Sequence, residues 1–121
     1  MGAKVMIIDD DEELHILYGL YLRGDSYTIL EAYHGQEAFR ILGKETPDLI
    51  VLDMIMPLMD GETFLRKLHV TDGLRDIPVI IASVNDKISP ELLGYSNVKK
   101  VLRKPFTIQV LSETIHHALT A

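Results

Sequence analysis

Short apolar runs alternate with segments of helical periodicity along the whole chain. Each run is four to six residues long, which suits a buried strand, and the segments between the runs place apolar residues three or four positions apart. This alternation is typical of strand–helix units repeated around a parallel sheet. The predicted strands cover residues 5–8, 28–32, 49–52, 79–82 and 98–103.

The helix after the first strand has clear end signals. Asp11 is the expected N-cap, and Glu12 and Glu13 lie in the first turn, where the positive end of the helix dipole favours negative charge. Gly24 is the expected C-cap. The residues predicted to face the sheet are Leu14, Leu17, Tyr18, Tyr21 and Leu22.

The polarity of the strands predicts their order in the sheet. The first, third and fourth strands are solid apolar runs, as expected where helices cover both faces, whereas the second and fifth contain charged residues. The polar pair therefore belongs at the edges, and right-handed crossovers then give the strand order 2-1-3-4-5. We predict an α/β fold of the flavodoxin-like, doubly wound (βα)5 type, with residues 1–121 forming a single domain.

Three acidic residues follow strands that this order makes neighbours. Asp9 and Asp10 come directly after the first strand, and Asp53 comes directly after the third. Parallel strands end at one edge of the sheet, so the three carboxylates are expected to share the crevice at the topological switch point. Such like charges raise one another's pKa values unless a cation lies among them, and oxygen ligands suit Mg²⁺. The alternative is that each Asp caps a helix or turn.

Two further polar residues end strands at the same edge, Ser83 after the fourth strand and Lys104 after the fifth. Taken singly, such a Ser is more often a cap and such a Lys is usually solvated. Together with the carboxylates they indicate a site that can accept a phosphoryl group. Asp53 would attack phosphorus, Mg²⁺ and Lys104 would neutralise the transferring oxygens, and Ser83 would hydrogen-bond to one of them.

Composition narrows the function classes. The chain has 121 residues and a formal charge of -6, so direct contact with nucleic acid is not expected. It has no cysteine, which excludes thiolate metal sites and agrees with a cytoplasmic location. The apolar run at residues 5–8 is too short for a signal peptide or a membrane span, so no membrane association is expected. The five histidines are scattered and are expected to be exposed or half-buried.

Four segments of the chain resemble the receiver (CheY-like) domain of bacterial two-component response regulators. They are IIDDDEEL, PDLIVLDMIMPLMDG, PVIIAS and LRKPF, which stand in that family's order and at its spacings over essentially the whole chain. The resemblance implies that Asp53 is the phosphoacceptor for a phosphoryl group taken from a histidine kinase.

The resemblance also implies roles for the other residues of the site. Asp10 is the expected direct Mg²⁺ ligand, Asp9 acts through water, and the backbone carbonyl of Ile55 completes the protein's share of the metal shell. Ser83 is the hydroxyl residue that moves toward the phosphoryl group. Lys104 pairs with that group and is followed by a cis peptide bond.

The sequence departs from the family pattern in three places. Val101 stands where the family usually has an aromatic switch residue, so no rotating ring is expected there. Val84 replaces a small residue beside the phosphoryl pocket, which narrows access. Residues 85–97 predict a shortened fourth helix, because Gly94 follows soon after the expected N-cap at Ser89, and family members use this face for signalling.

The leading interpretation is a phosphorylation switch that receives its phosphoryl group from a sensor histidine kinase or a phosphotransfer protein. Since no output domain is visible in this chain, the switch would act on an unknown downstream protein, or the chain is a receiver domain taken from a longer protein. It could form a homodimer through the fourth helix, fifth strand and fifth helix. It is expected to be a signalling domain and not an enzyme. Ile55 and Asn85 are expected to set the rate of acyl-phosphate hydrolysis, with apolar Ile55 slowing it.

Two alternatives stay open. One is an Mg²⁺-dependent phosphatase with an Asp nucleophile, but that class wants a second acid two residues after the nucleophile, and position 55 is Ile. The other is a receiver-like scaffold that is not phosphorylated, although all the site residues are present.

Overall fold

The computed structural model describes residues 2–84 and 87–120, which form alternating strands and helices. The strands are β1 (Lys4–Ile8), β2 (Thr28–Ala32), β3 (Leu49–Asp53), β4 (Val79–Ser83) and β5 (Val98–Arg103). The helices are α1 (Glu12–Gly24), α2 (Gly35–Leu42), α3 (Gly61–His69), α4 (Pro90–Leu93) and α5 (Ile108–Thr120). Among the described residues, no helix is long and apolar enough to cross a lipid bilayer.

The sheet has the order β2-β1-β3-β4-β5, and all four pairings are parallel, which confirms the predicted topology. β3 and β4 are buried along their full length, as their apolar sequences require, whereas β2 and β5 expose residues at the edges. Helices α1 and α5 bury one core against the sheet, and α2, α3 and α4 bury a second core on the opposite face.

The register of the central strands sets the position of the polar residues that end them. Ile8 pairs with Leu52, so the next residues, Asp9 and Asp53, lie side by side at the carboxyl edge of the sheet. Asp53 in turn pairs with Ala82 on β4, which places Ser83 one residue further along the neighbouring strand. The strand order therefore turns a wide separation in sequence into proximity in space.

The face that α1 turns toward the sheet differs from the prediction. Tyr18 and Leu22 are buried as expected, but Leu17 is 42% exposed and Tyr21 is 54% exposed. The remaining buried positions of the helix are His15 and Gly19. Because α1 carries apolar residues on nearly every side, its periodicity alone does not decide which side the sheet covers.

The end of α1 also differs from the prediction. Gly24 is the last helical residue, and Asp25 is the C-cap, with its N–H directed to the carbonyl of Leu22. After α1 the chain first adopts positive φ at Ser26, where φ is 71°. Gly24 was therefore wrong as the C-cap, because the left-handed turn comes two residues later.

The N-terminal ends of α1 and α4 agree with the sequence signals to different degrees. Asp11 caps α1 by accepting the N–H groups of Glu13 and Leu14, as predicted. Helix α4 has only four residues, which confirms the predicted shortening. Its Ser89 stands at the N-cap position, but the hydroxyl donates to Glu62 Oε1 on α3 at 3.0 Å and does not cap the helix.

Candidate phosphoacceptor and metal site

Three carboxylates meet at the carboxyl edge of the sheet. Asp9 follows β1, Asp10 comes next, and Asp53 is the last residue of β3. Each offers one oxygen to a group whose members all lie within 4.8 Å of one another. Asp9 and Asp53 are only 3% and 7% exposed, whereas Asp10 is open to solvent. The arrangement is a recessed pair of carboxylates with a third at the rim.

Asp9 is held from several directions. Its Oδ1 accepts the N–H of Asp11 at 2.9 Å, and its Oδ2 accepts a hydrogen bond from Lys104 Nζ at 2.8 Å. Its backbone N–H continues the ladder between β1 and β2 by donating to Ala32 at 3.1 Å. These bonds fix the Asp9 carboxylate in the crevice.

Lys104 brings positive charge to the site from the end of the edge strand β5. It follows β5, and its backbone N–H donates to the carbonyl of Ser83 at 2.9 Å. Its ammonium group bridges two carboxylates, since it also lies 3.6 Å from Asp53 Oδ1. The peptide bond between Lys104 and Pro105 is cis, as the resemblance implied.

The surroundings of Asp53 raise its pKa to about 6. Burial is the main cause, and the nearby charge of Asp9 adds to it. Lys104 and the backbone N–H of Ile55, which donates to Asp53 Oδ1 at 3.4 Å, act in the opposite direction. Three carboxylates with one ammonium leave the crevice short of positive charge, which is the condition that a divalent cation relieves.

The donor set fits a hard cation. Carboxylate oxygens are the ligands that Mg²⁺ and Ca²⁺ prefer, and the three that converge here are close enough to share one ion. Ile55, whose carbonyl the resemblance adds to the metal shell, is adjacent, because its N–H contacts Asp53. Its side chain is 56% exposed and points apolar surface toward solvent beside the site.

Ser83 ends β4 at the same edge and is 1% exposed. Its backbone is tied to β5 through Lys104, so Asp9, Asp53, Ser83 and Lys104 form one connected group. The next residue, Val84, is 59% exposed and lies with Lys104 along a shallow depression that Leu14 and Tyr18 also line.

Two of the three departures from the family pattern, Val101 and Val84, are exposed aliphatic residues. Val101 is a 38% exposed aliphatic residue on β5, so no aromatic ring occupies that position. Val84 is exposed at the mouth of the site. Asn85, which was expected to act with Ile55 on hydrolysis, lies outside the described residues.

One residue of the site was missed in the sequence. His15 was expected to be exposed or half-buried, but it is 1% exposed, and its Nε2 lies 2.7 Å from the backbone oxygen of Asp9. Its six-residue separation from Asp9 gives no periodic signal, since the contact reaches back from the first turn of α1 to the end of β1. The only available sign was a polar residue within an apolar stretch of helix.

A family model described as "Response regulator receiver domain" matches residues 5–116. The chain belongs to the response regulator receiver domain family. Among curated relatives, the receiver is 34% identical over 107 residues to the response regulator GtcR of Aneurinibacillus migulanus, covering 88% of this chain and 43% of the relative. The receiver thus spans less than half the length of that relative.

Solved structures of receiver domains have the same fold as this chain. The signal receiver domain of a signal transduction histidine kinase from Syntrophus aciditrophicus is 28% identical, with a TM-score of 0.85, over 98% of this chain and 91% of that one. The receiver domain of the sensor histidine kinase PA1611 from Pseudomonas aeruginosa, whose structure has a magnesium ion coordinated in the active-site cleft, shares the fold. It is 20% identical, with a TM-score of 0.86 and complete coverage of both chains.

Proposed function

We propose that Asp53 is the phosphoacceptor of this receiver and takes a phosphoryl group from a phosphohistidine in a Mg²⁺-dependent reaction. The observation that carries the proposal is the position of the Asp53 carboxylate, which ends β3 within a group of three carboxylates and 3.6 Å from Lys104 Nζ. A nucleophile and a charge-stabilising ammonium are thus adjacent in a crevice that is recessed but open at its rim.

The transfer is a single substitution at phosphorus. An Asp53 carboxylate oxygen forms the new P–O bond as the P–N bond to the imidazole breaks, and the imidazole nitrogen keeps the bonding electron pair. Lys104 stabilises the transferring oxygens, and the Ser83 hydroxyl donates a hydrogen bond to one of them. No general base is required, because the attacking carboxylate is the ionised form of Asp53.

The metal-binding residues in this proposal are Asp9, Asp10 and Asp53, with the carbonyl of Ile55. Mg²⁺ bound there supplies positive charge to the phosphoryl oxygens. The support is the convergence of three oxygen ligands and the excess of negative charge around Asp53, which raises its pKa. Asp9 also accepts a hydrogen bond from Lys104, so it keeps the Lys104 ammonium within reach of Asp53.

The proposed phosphodonor is a sensor histidine kinase or a phosphotransfer protein that docks on the solvent face of α1. This face, called the α1 patch below, consists of Ile16, Leu17, Leu20 and Tyr21, whose exposures are 60%, 42%, 71% and 54%. The helix starts two residues after Asp10, so its N-terminal end lies beside the crevice that a donor has to reach. Residues spaced i, i+4 along one face suit packing against a partner helix.

The proposed output is a change in partner binding. The phosphoryl group adds negative charge beside Lys104 and Ser83, and the resulting rearrangement of β4 and β5 shifts the populations of the receiver's conformations. We further propose that a second copy of the chain is one partner, through the face formed by α4, β5 and α5. In the cell the receiver would work in the cytoplasm, where such donors phosphorylate it.

The experiment that tests the function is intact-mass measurement after incubation with acetyl phosphate, with and without Mg²⁺. The wild type and Asp76→Asn, a change at an exposed acid, are expected to gain one phosphoryl group only with Mg²⁺. Asp53→Asn is expected to gain none. An equal adduct on Asp53→Asn would reject Asp53, and turnover of added phosphomonoesters would favour a phosphatase instead.

A further inference from the structure

The buried imidazole of His15 contacts the backbone at the start of the metal site. Its Nε2 lies 2.7 Å from the carbonyl oxygen of Asp9. A carbonyl oxygen can only accept a hydrogen bond, so Nε2 carries the proton and donates it. The ring is stacked on Tyr33, with centroids 4.1 Å apart and planes inclined by 29°, so it is held in this orientation from the side as well.

The opposite ring nitrogen shows that packing alone does not explain this residue. His15 Nδ1 is buried and has no hydrogen-bond partner among the described residues. Glu31 Oε1 is 3.6 Å from it, which is too far for a hydrogen bond. A buried polar atom without a partner is unfavourable, and Leu would fill the same space without that cost. The bond from Nε2 to Asp9 is what His provides and Leu does not.

That bond acts on a single peptide unit. The carbonyl of Asp9 and the N–H of Asp10 belong to one rigid plane, so fixing the carbonyl also fixes the direction in which the chain enters Asp10. The Asp9 side chain and N–H are already held by Asp11, Lys104 and Ala32. The Asp10 carboxylate is exposed, so its direction depends on the backbone that carries it.

We propose that His15 is a positioning residue for the divalent-metal site, whose Nε2–H···O=C bond orients the Asp9–Asp10 peptide and so preorganises both carboxylates for Mg²⁺. The inference rests on the proposed function, because it concerns the same three carboxylates. It adds a residue from the buried face of α1 that is not itself a ligand. A supporting contact of this kind typically changes metal affinity by tenfold or more when it is removed.

The test compares His15→Leu with His15→Gln, because the Gln amide keeps an N–H donor of similar reach and Leu does not. The Mg²⁺ dissociation constant is measured by isothermal titration calorimetry on protein freed of metal by chelation. We expect about tenfold weaker binding for His15→Leu and a value within about twofold of wild type for His15→Gln. Leu22→Ala, at a fully buried position of the same helix, should destabilise the protein and leave the constant unchanged.

A second measurement does not depend on metal. The backbone amide resonance of Asp10 in the metal-free protein should shift in His15→Leu and return toward its wild-type position in His15→Gln. If the wild type binds Mg²⁺ and His15→Leu binds it with the same dissociation constant, the positioning role is overturned and the proposed function is not. Weakening in Leu22→Ala to the same degree as in His15→Leu would also overturn the positioning role, since stability would then be the cause. Absence of Mg²⁺ binding by the wild type would contradict both this inference and the proposed function.

Discussion

Single residues in the acidic run DDDEE have separate tasks although they are contiguous. Asp9 and Asp10 belong to the carboxylate group at the end of the sheet, whereas Asp11 accepts the first N–H groups of α1. Glu12 and Glu13 lie in the first turn of that helix, where the dipole favours their charge. The run therefore divides between Asp10 and Asp11 into a part that we propose binds the metal and a part that starts the helix.

This division predicts different effects of two neutral substitutions. Asp10→Asn should weaken Mg²⁺ binding by tenfold or more, because it removes the open carboxylate of the group, and should leave the melting temperature nearly unchanged. Glu12→Gln should change the Mg²⁺ dissociation constant less than about twofold, since it alters an exposed charge outside the group of three carboxylates. Calorimetric titration of both variants measures the difference, and equal losses would contradict the division.

Asp53 is a second residue whose charge has a measurable consequence. Its folded-state pKa of about 6 is above the ordinary value of 3.8, so between these values the folded protein retains a proton that the unfolded chain releases. Stability in metal-free buffer should therefore fall as the pH rises from about 4 to 6 and stay low above that range. The penalty at neutral pH is on the order of 2 to 3 kcal/mol.

Asp53→Asn should remove this penalty. In buffer with a chelator, the variant is expected to have a higher free energy of unfolding than the wild type at pH 8, and the two should converge near pH 4. Lys104 keeps its bond to Asp9 in the variant, so no buried ammonium is left alone. Urea unfolding at both pH values tests this, with exposed Asp76→Asn as the control. A variant that is less stable at pH 8 would show that burial does not dominate at Asp53.

At the scale of elements, α1 carries apolar side chains on its solvent side as well as on its buried side. Its buried side covers the sheet, and its outer side carries the α1 patch, of which Leu20 is the most exposed member at 71%. A helix that is apolar all round is normally covered on both sides. The patch lies on the helix that begins beside the carboxylate crevice, which is why a phosphodonor protein is the proposed occupant.

Leu20→Ser should therefore impair transfer from a protein donor without impairing the site. The rate of labelling by a prephosphorylated histidine kinase that phosphorylates the wild type is expected to fall about fivefold or more, as for removal of one central contact of an interface. Labelling by acetyl phosphate should be unchanged. Val70→Ser is the matched control, because Val70 is 73% exposed at the end of α3 on the other face of the sheet. Equal loss in both variants would reject the α1 patch as the docking face.

At the scale of the whole molecule, the strand order and register of the sheet bring the residues of the site together. The polarity of the strands was enough to predict which lie at the edges, and from that the order that brings Asp9 beside Asp53. The positions of Ser83 and Lys104 at the same edge followed directly. These features depend on backbone pairing and burial, which the apolar pattern records well.

Features that depend on side-chain direction were not predictable in this way. The rotation of α1 was wrong because several of its faces are equally apolar, and the sheet covers the one that contains Gly19 and His15. The contact from His15 to Asp9 depends on how the helix enters after β1, and periodicity does not describe that entry. The C-cap of α1 depends on a left-handed Ser26, a conformation that Ser adopts rarely.

The proposed homodimer through α4, β5 and α5 is expected to form more readily after phosphorylation. Val101 on β5 and Val110 on α5 are 38% and 40% exposed, and Lys99 and Lys100 lie near Glu113 of α5. Two copies related by a twofold axis can join the apolar residues and pair these charges. Sedimentation should show more dimer after phosphorylation of the wild type and of Val70→Asp, but not of Val101→Asp. A dimer fraction that does not change with phosphorylation would contradict this.

The central claim is that Asp53 carries the phosphoryl group, and its direct test is reductive trapping followed by peptide mass mapping. Borohydride converts an aspartyl phosphate to homoserine and leaves an unmodified aspartate intact. After phosphorylation in the presence of Mg²⁺, we predict homoserine at position 53 and intact Asp at positions 9 and 10. Homoserine at another position, or none at position 53 in a sample whose intact mass shows the adduct, would contradict the account.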